Sequence, residues 1–188
     1  MAVLTFANQL TFLRIGLIPA FVLLVVYRHP GWALLVFLVA GITDALDGLI
    51  ARRTGDKSNL GAWLDPMADK LLLVTAFIVL TLPDVGLVNR FPLWLTILII
   101  SRDVIIVATV AMVNLAMGPR TFRPSIYGKA ATAIYIVTAL VVMLFNYLET
   151  RSVVVDAFVW MSLAITLVSG GHYILHGMAI VREAGKGT

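Results

Sequence analysis

The sequence contains no cysteine. No disulfide framework, thiol nucleophile or cysteine-ligated metal is open to it. Charge is scarce as well: 13% of the 188 residues are Asp, Glu, Lys or Arg, against 61% hydrophobic. With a mean hydropathy of +1.00, that balance excludes an ordinary soluble domain. No low-complexity linker, internal repeat or soluble appendage stands out, so the chain reads as one membrane domain over residues 1–188. Basic residues interleaved with aromatics for base stacking are also missing, which argues against a nucleic-acid partner.

What remains is a set of apolar runs that approach or reach the ~20 residues needed to cross a bilayer. Six spans are expected, over Thr11–Tyr27, Trp32–Arg52, Leu60–Leu82, Pro92–Met117, Tyr127–Tyr147 and Val153–Val181. The fold class is therefore an all-α integral membrane protein with six transmembrane helices. No cleavable signal peptide is expected, because no small-residue cleavage site and polar domain follow the first span. Met1–Leu10 suits either a short amphipathic helix in the interface or the frayed start of the first span. Trp32, Trp63, Trp94 and Trp160 fall mostly near span ends, where they serve as anchors.

Lys and Arg set the expected orientation. With both termini on one side, that side carries Arg14, Arg52, Arg53, Lys57, Lys70, Arg120, Arg123, Lys129, Arg182 and Lys186. The other side carries only Arg28, Arg90 and Arg151. The positive-inside rule then puts both termini in the cytoplasm, as in a bacterial-type inner membrane. The pI of about 9.7 fits a rim facing phosphates or anionic head groups.

Against this background the stretch Ile42–Lys70 is anomalous, because it holds five of the ten acidic residues. On a helix, residues three and four apart share a face. Asp44, Asp47, Gly48, Ala51 and Arg52 then form one stripe, and Gly61, Asp65 and Asp69 a second. Turn-forming residues between Arg53 and Asn59 separate the two. Two antiparallel helices are expected to meet at a cytoplasmic hairpin, each with two carboxylates lining a cytoplasm-facing cavity. Four clustered carboxylates in a partly dry cavity repel one another unless cations are present. Hard divalent ions, Mg²⁺ or Mn²⁺, suit oxygen ligands and substrate phosphate. Zinc does not fit, since His29, His172 and His176 lie far from the hairpin in sequence. Two such ions form a clamp for phosphoryl transfer. Gly48 and Ala51 leave room for a ligand, and Arg52 suits a phosphate. A cation transporter built on the same carboxylates is the reading from a different class. It lacks the polar residues that a pathway needs in the opposite half of the membrane.

The pattern Asp44-x-x-Asp47-Gly48-x-x-Ala51-Arg52, then Gly61-x-x-x-Asp65-x-x-x-Asp69, resembles the full signature of the CDP-alcohol phosphatidyltransferases. Asn8-Gln-Leu-Thr-Phe-Leu-Arg14 followed by Pro19 is similar to the family's approach to its first span. Leu64-Asp-Pro-Met-Ala-Asp-Lys70 resembles the version in phosphatidylglycerophosphate synthases. The resemblance implies attack by an acceptor alcohol on the β-phosphorus of CDP-diacylglycerol, with CMP leaving. It implies that Asp44, Asp47, Asp65 and Asp69 hold two divalent ions, with Asp69 also the base toward the acceptor hydroxyl. It assigns CDP-lipid contacts to Asn8, Thr11, Gly48, Arg52 and Ser58. It also implies a homodimer in a lipid bilayer.

The acceptor is less constrained. Arg102 lies inside the fourth span beside Asp103, and neighbours on a helix point about 100° apart, so an internal pair between them is not expected. Arg102, with Arg120, Arg123 and Lys129 of the next connection, is the candidate set for an acceptor phosphate. Arg120 and Arg123 are equally explained as ordinary positive-inside charge. Glycerol 3-phosphate is the favoured acceptor. Ile100-Ser-Arg-Asp-Val resembles this region both of glycerophosphate-using members and of the cardiolipin synthases of the superfamily, which use phosphatidylglycerol. Inositol phosphate and serine are further possibilities within the family. His172 and His176, four apart on the last span, read as polar residues facing a partner helix or the interface.

The two-stripe reading yields a first prediction. Asp44→Asn and Asp65→Asn each abolish phosphatidyl transfer and weaken divalent-metal binding, checked by transfer assay and metal titration. Retention of most activity by either variant would rule out the two-metal arrangement.

Overall fold

A computed structural model describes the backbone of residues 6–54, 59–117 and 125–184. Side chains are described for 11–43, 68, 70–112, 115, 125–173 and 175. These residues form six α-helices: α1 Phe6–Val26, α2 Pro30–Thr54, α3 Asn59–Thr81, α4 Leu93–Met117, α5 Ile126–Tyr147 and α6 Val153–Ala184. A single 3₁₀ turn, Pro83–Val85, lies between α3 and α4. Helices start and stop close to the expected span limits. No separate N-terminal amphipathic helix is described, because α1 runs without a break from Phe6. Pro19 sits inside α1.

Three stretches are long and apolar enough to cross a membrane: Leu93–Met112, Ile126–Tyr147 and Val153–Tyr173. Thr11–Val26, Pro30–Thr43 and Lys70–Thr81 are shorter apolar stretches within described segments. The second stops one residue before Asp44, and the third begins one residue after Asp69.

Unlike a water-soluble protein, this one is apolar on its outside as well as in its core. Large apolar side chains face outward, among them Val107, Met112, Ile126, Leu167 and Leu175. Thr11, Arg14, Asn89, Thr138, Asn146, Ser162, Thr166 and Ser169 are buried. Apolar side chains outside and paired polar groups inside are what a hydrocarbon solvent selects. Together with helix length, this makes the chain a membrane protein.

The chain divides into two compact units: Met1–Phe91 with Ala139–Val155, and Pro92–Thr138 with Asp156–Thr188. In the first unit α1 packs against both α2 and α3. Phe21 meets Phe37 between α1 and α2 at 5.8 Å. Phe77 stacks on Phe91 at 4.4 Å, holding α3 to the segment before α4. The same segment is clamped to the end of α5 by two asparagines. Asn89 N–H donates to Asn146 Oδ1 at 2.8 Å, and Asn146 Nδ2 donates back to the Asn89 carbonyl at 2.9 Å. Asn89 Nδ2 donates to the Thr150 carbonyl at 2.7 Å. A carboxamide can do this because it donates and accepts at once.

In the second unit α5 and α6 are joined by buried hydroxyls. Tyr135 Oη and Thr166 Oγ1 lie 2.6 Å apart, and Thr138 Oγ1 and Ser162 Oγ 2.8 Å apart. Small hydroxyl residues let the helices approach and pair inside an apolar surround. Trp94 and Trp160 meet at 5.9 Å between α4 and α6.

The asparagine clamp gives a second prediction. Asn146→Ala deletes two hydrogen bonds and strands the buried Asn89 backbone groups, so stability falls by about 1–2 kcal/mol. Unfolding in mixed micelles measures this. The exposed Thr132→Ala, which loses only a local bond to the Gly128 carbonyl, is the control with little effect.

Candidate active site

The four aspartates belong to two helices, Asp44 and Asp47 to α2 and Asp65 and Asp69 to α3. In α2, Ala33, Phe37 and Ala40 are buried at successive steps of four and three. Asp44 and Asp47 continue the same four-and-three spacing along α2. In α3, Ala68, Leu72, Ala76 and Val79 are buried. Asp65 lies three residues before Ala68, and Asp69 three before Leu72, within the angular range of that stripe. Each helix is thus apolar along a buried stripe for part of its length, and its sequence carries two aspartates toward one end. Gly48, Ala51 and Arg52 lie within α2, and Gly61 within α3.

The third helix of this arrangement is α1, which packs on both α2 and α3. It carries Asn8, Thr11 and Arg14. Thr11 is 1% exposed and Arg14 fully buried. The sequence reading counted Arg14 among the rim cations. Instead it is an interior guanidinium in the same unit as the four carboxylate positions. Burial of so polar a group is costly without hydrogen bonds and counter-charge, and Arg14 does make polar interactions. The missed signal was its spacing, three residues after Thr11 on one helical face. Asn8, Gly48, Arg52 and the four aspartates lie in described helices, but their side chains are outside the described set. Ser58, Arg120 and Arg123 lie outside the described residues altogether.

Arg102 stands in the second unit, on α4. Its Nη1 pairs with Asp103 Oδ1 at 2.7 Å, which corrects the expectation that adjacent residues would point apart. The arginine stem is long enough to bring the guanidinium across the 100° between neighbouring positions. Nη2 donates to Ser169 Oγ on α6. The guanidinium also lies 5.8 Å from the centre of the Tyr173 ring, within cation–π range. Gly128 on α5 completes the surround: a Cβ there would stand 3.6 Å from both Arg102 Nη2 and Tyr173 Oη. Arg102 Nε is buried without a hydrogen-bond partner among the described residues. Three helices therefore meet on one guanidinium whose charge is largely answered by its neighbour and whose Nε is left without a partner among the described residues. Lys129 follows Gly128 on α5 and is exposed. His172 packs against Tyr127 at 4.7 Å and edge-on to Tyr173 at 6.4 Å, which agrees with a partner-helix role.

Comparison with known proteins places these features in a family. The family model for CDP-alcohol phosphatidyltransferase matches residues 4–168. The human protein named "Cardiolipin synthase (CMP-forming)" is 33% identical over 92% of this chain and 61% of its own length. A Streptomyces coelicolor protein of the same name is 35% identical over 69% of this chain and 60% of its own length. A Mycobacterium tuberculosis protein named "Probable phosphatidylglycerophosphate synthase" is 32% identical over 92% of this chain and 81% of its own length. The chain thus spans about three fifths of the cardiolipin synthases that it matches. With the model covering most of its length, the chain belongs to the CDP-alcohol phosphatidyltransferase family.

Proposed function

We propose that this protein transfers a phosphatidyl group from CDP-diacylglycerol to the free glycerol hydroxyl of phosphatidylglycerol, forming cardiolipin and CMP. The observation that carries the choice of acceptor is the Arg102–Asp103 pair at 2.7 Å. A guanidinium neutralised by an adjacent carboxylate is a poor counter-charge for a phosphate monoester dianion. It still offers directed N–H donors to a phosphodiester monoanion, with its charge partly spent. The relatives named cardiolipin synthase support this reading. A second reading, glycerol 3-phosphate as acceptor, is favoured by the mycobacterial phosphatidylglycerophosphate synthase, of which 81% is covered. Family membership leaves no support for the cation-transporter reading.

In the proposed reaction the acceptor oxygen forms a bond to the β-phosphorus, and the bond from that phosphorus to the CMP oxygen breaks. Asp69 takes the hydroxyl proton. Asp44, Asp47, Asp65 and Asp69 would supply an all-oxygen donor set, of the kind that suits Mg²⁺ or Mn²⁺. When bound, two such ions neutralise the diphosphate and the developing charge. Asn8, Thr11, Gly48, Arg52 and Ser58 hold the CDP part. Arg102, Arg120, Arg123 and Lys129 hold the acceptor phosphate. Thr11 and Arg14 are buried on α1, the helix that packs against both α2 and α3. Positive-inside charge puts the site and both termini on the cytoplasmic face, and the protein acts as a homodimer.

An acceptor panel tests this. Purified protein with CDP-diacylglycerol and Mg²⁺ is offered phosphatidylglycerol, glycerol 3-phosphate, inositol phosphate and serine in turn. Labelled cardiolipin is the expected product, and predominant phosphatidylglycerophosphate would overturn the assignment. Asp103→Asn supplies a further prediction. It leaves Arg102 hydrogen-bonded but removes the neutralising charge. The ratio of kcat/KM for glycerol 3-phosphate over phosphatidylglycerol should rise by about tenfold, the effect of one charge-assisted contact. An unchanged ratio would mean that this pair does not select the acceptor.

A further inference from the structure

The other end of the first unit holds a cavity that the transfer reaction does not use. From Pro30 to Asp44 is fourteen residues, about 21 Å of helix. At the Pro30 end, the termini of α1, α2 and α5 border an open cavity of about 480 Å³ lined by Arg28, Trp32, Leu34, Leu35, Tyr147 and Glu149.

Two helices end here in the same way. Past α1, Arg28 N–H bonds to the Val25 carbonyl and His29 N–H to the Leu24 carbonyl. Past α5, Glu149 N–H bonds to the Asn146 carbonyl and Thr150 N–H to the Phe145 carbonyl. Both patterns are Schellman caps, whose left-handed residue is usually glycine. Here those residues are Arg28, at φ 60, and Glu149, at φ 53. They are the positive-φ residues other than glycine among those described. Glycine would close either cap with less strain. The backbone therefore gives no reason for the two side chains, which carry opposite charges. They line one cavity yet form no ion pair with each other.

The lining is held in place. Gly86, itself left-handed at φ 67, forms a floor under the Arg28 guanidinium, where a Cβ would come within 2.7 Å of Cζ. Gly31 does the same for the Tyr147 ring, at 2.8 Å. Trp32 and Tyr147 remain 62% and 57% exposed, as aromatic residues at a membrane boundary do. Leu34 and Leu35 continue the wall along the apolar stretch of α2.

We propose that this cavity binds the head group of a zwitterionic phospholipid bearing a primary ammonium, of the phosphatidylethanolamine kind, in the leaflet away from the carboxylates. The guanidinium takes the phosphate. The Glu149 carboxylate accepts the ammonium N–H groups, and the faces of Trp32 and Tyr147 attract the same cation. The acyl chains run past Leu34 and Leu35. A quaternary ammonium has no N–H for Glu149, and an anionic glycerol head group brings no cation to it. The cavity thus discriminates both ways.

The full-length, delipidated protein is titrated in detergent with dioleoylphosphatidylethanolamine, and separately with the phosphatidylcholine and phosphatidylglycerol analogues. Native mass spectrometry counts the bound lipid. One phosphatidylethanolamine is expected, held more tightly than phosphatidylcholine. Arg28→Gly suits its left-handed backbone and should weaken phosphatidylethanolamine binding about tenfold. Glu149→Gly should remove the preference over phosphatidylcholine while leaving phosphate-dependent binding. Unchanged binding in Arg28→Gly, or no preference in the unmodified protein, overturns the proposal. Arg28-dependent binding confined to phosphatidylglycerol also overturns it, as a simple anion site. Should Arg28→Gly fail to fold, Glu149→Gly decides, since a retained preference refutes the head-group assignment.

Discussion

A polar group inside an apolar bundle has no water to turn to, so it must find its partner within the protein. This constraint organises both units. In the first, Asn89 and Asn146 satisfy each other across 57 residues of sequence, and Thr150 takes the remaining amide donor. In the second, the Tyr135–Thr166 and Thr138–Ser162 pairs tie α5 to α6. Outward-facing residues such as Leu167 and Val107 contribute little to holding the helices together, because lipid solvates them as well as protein does. The specificity of the packing therefore rests on the polar interior, and the apolar exterior sets where the protein resides.

The same constraint explains the distribution of charge. Ionised carboxylates close to the apolar stretches of α2 and α3 are costly without nearby counter-charge. Arg14, fully buried on the helix that packs against both, lies in the same unit. Arg102 is managed differently, by an immediate neighbour and by Ser169 on another helix. A cation so compensated keeps its hydrogen-bonding direction while losing most of its long-range pull.

Helix α2 links two distinct chemistries along one stripe. Its apolar portion, Ala33, Phe37 and Ala40, buries against the neighbouring helices. Beyond one end of that portion the register turns acidic. Beyond the other, two strained caps carry unpaired opposite charges beside aromatic rings.

The helices, their approximate ends and the shared faces of Asp44 with Asp47 and of Asp65 with Asp69 were legible in the sequence. Hydropathy and helical periodicity are local properties, and the solvent outside the bundle imposes them residue by residue. The family signature was legible for the same reason, since its spacing is a local register. The tertiary structure alone decided that Arg14 is interior and that Ser169, 67 residues away, meets Arg102. It also decided that Arg28 and Glu149 line one cavity. Those outcomes depend on which helix faces which, and one-dimensional spacing carries no such information. The Arg102–Asp103 pair fell between the two. The residues are adjacent in sequence, yet backbone direction suggested separation, and a flexible arginine stem packed among three helices reversed it.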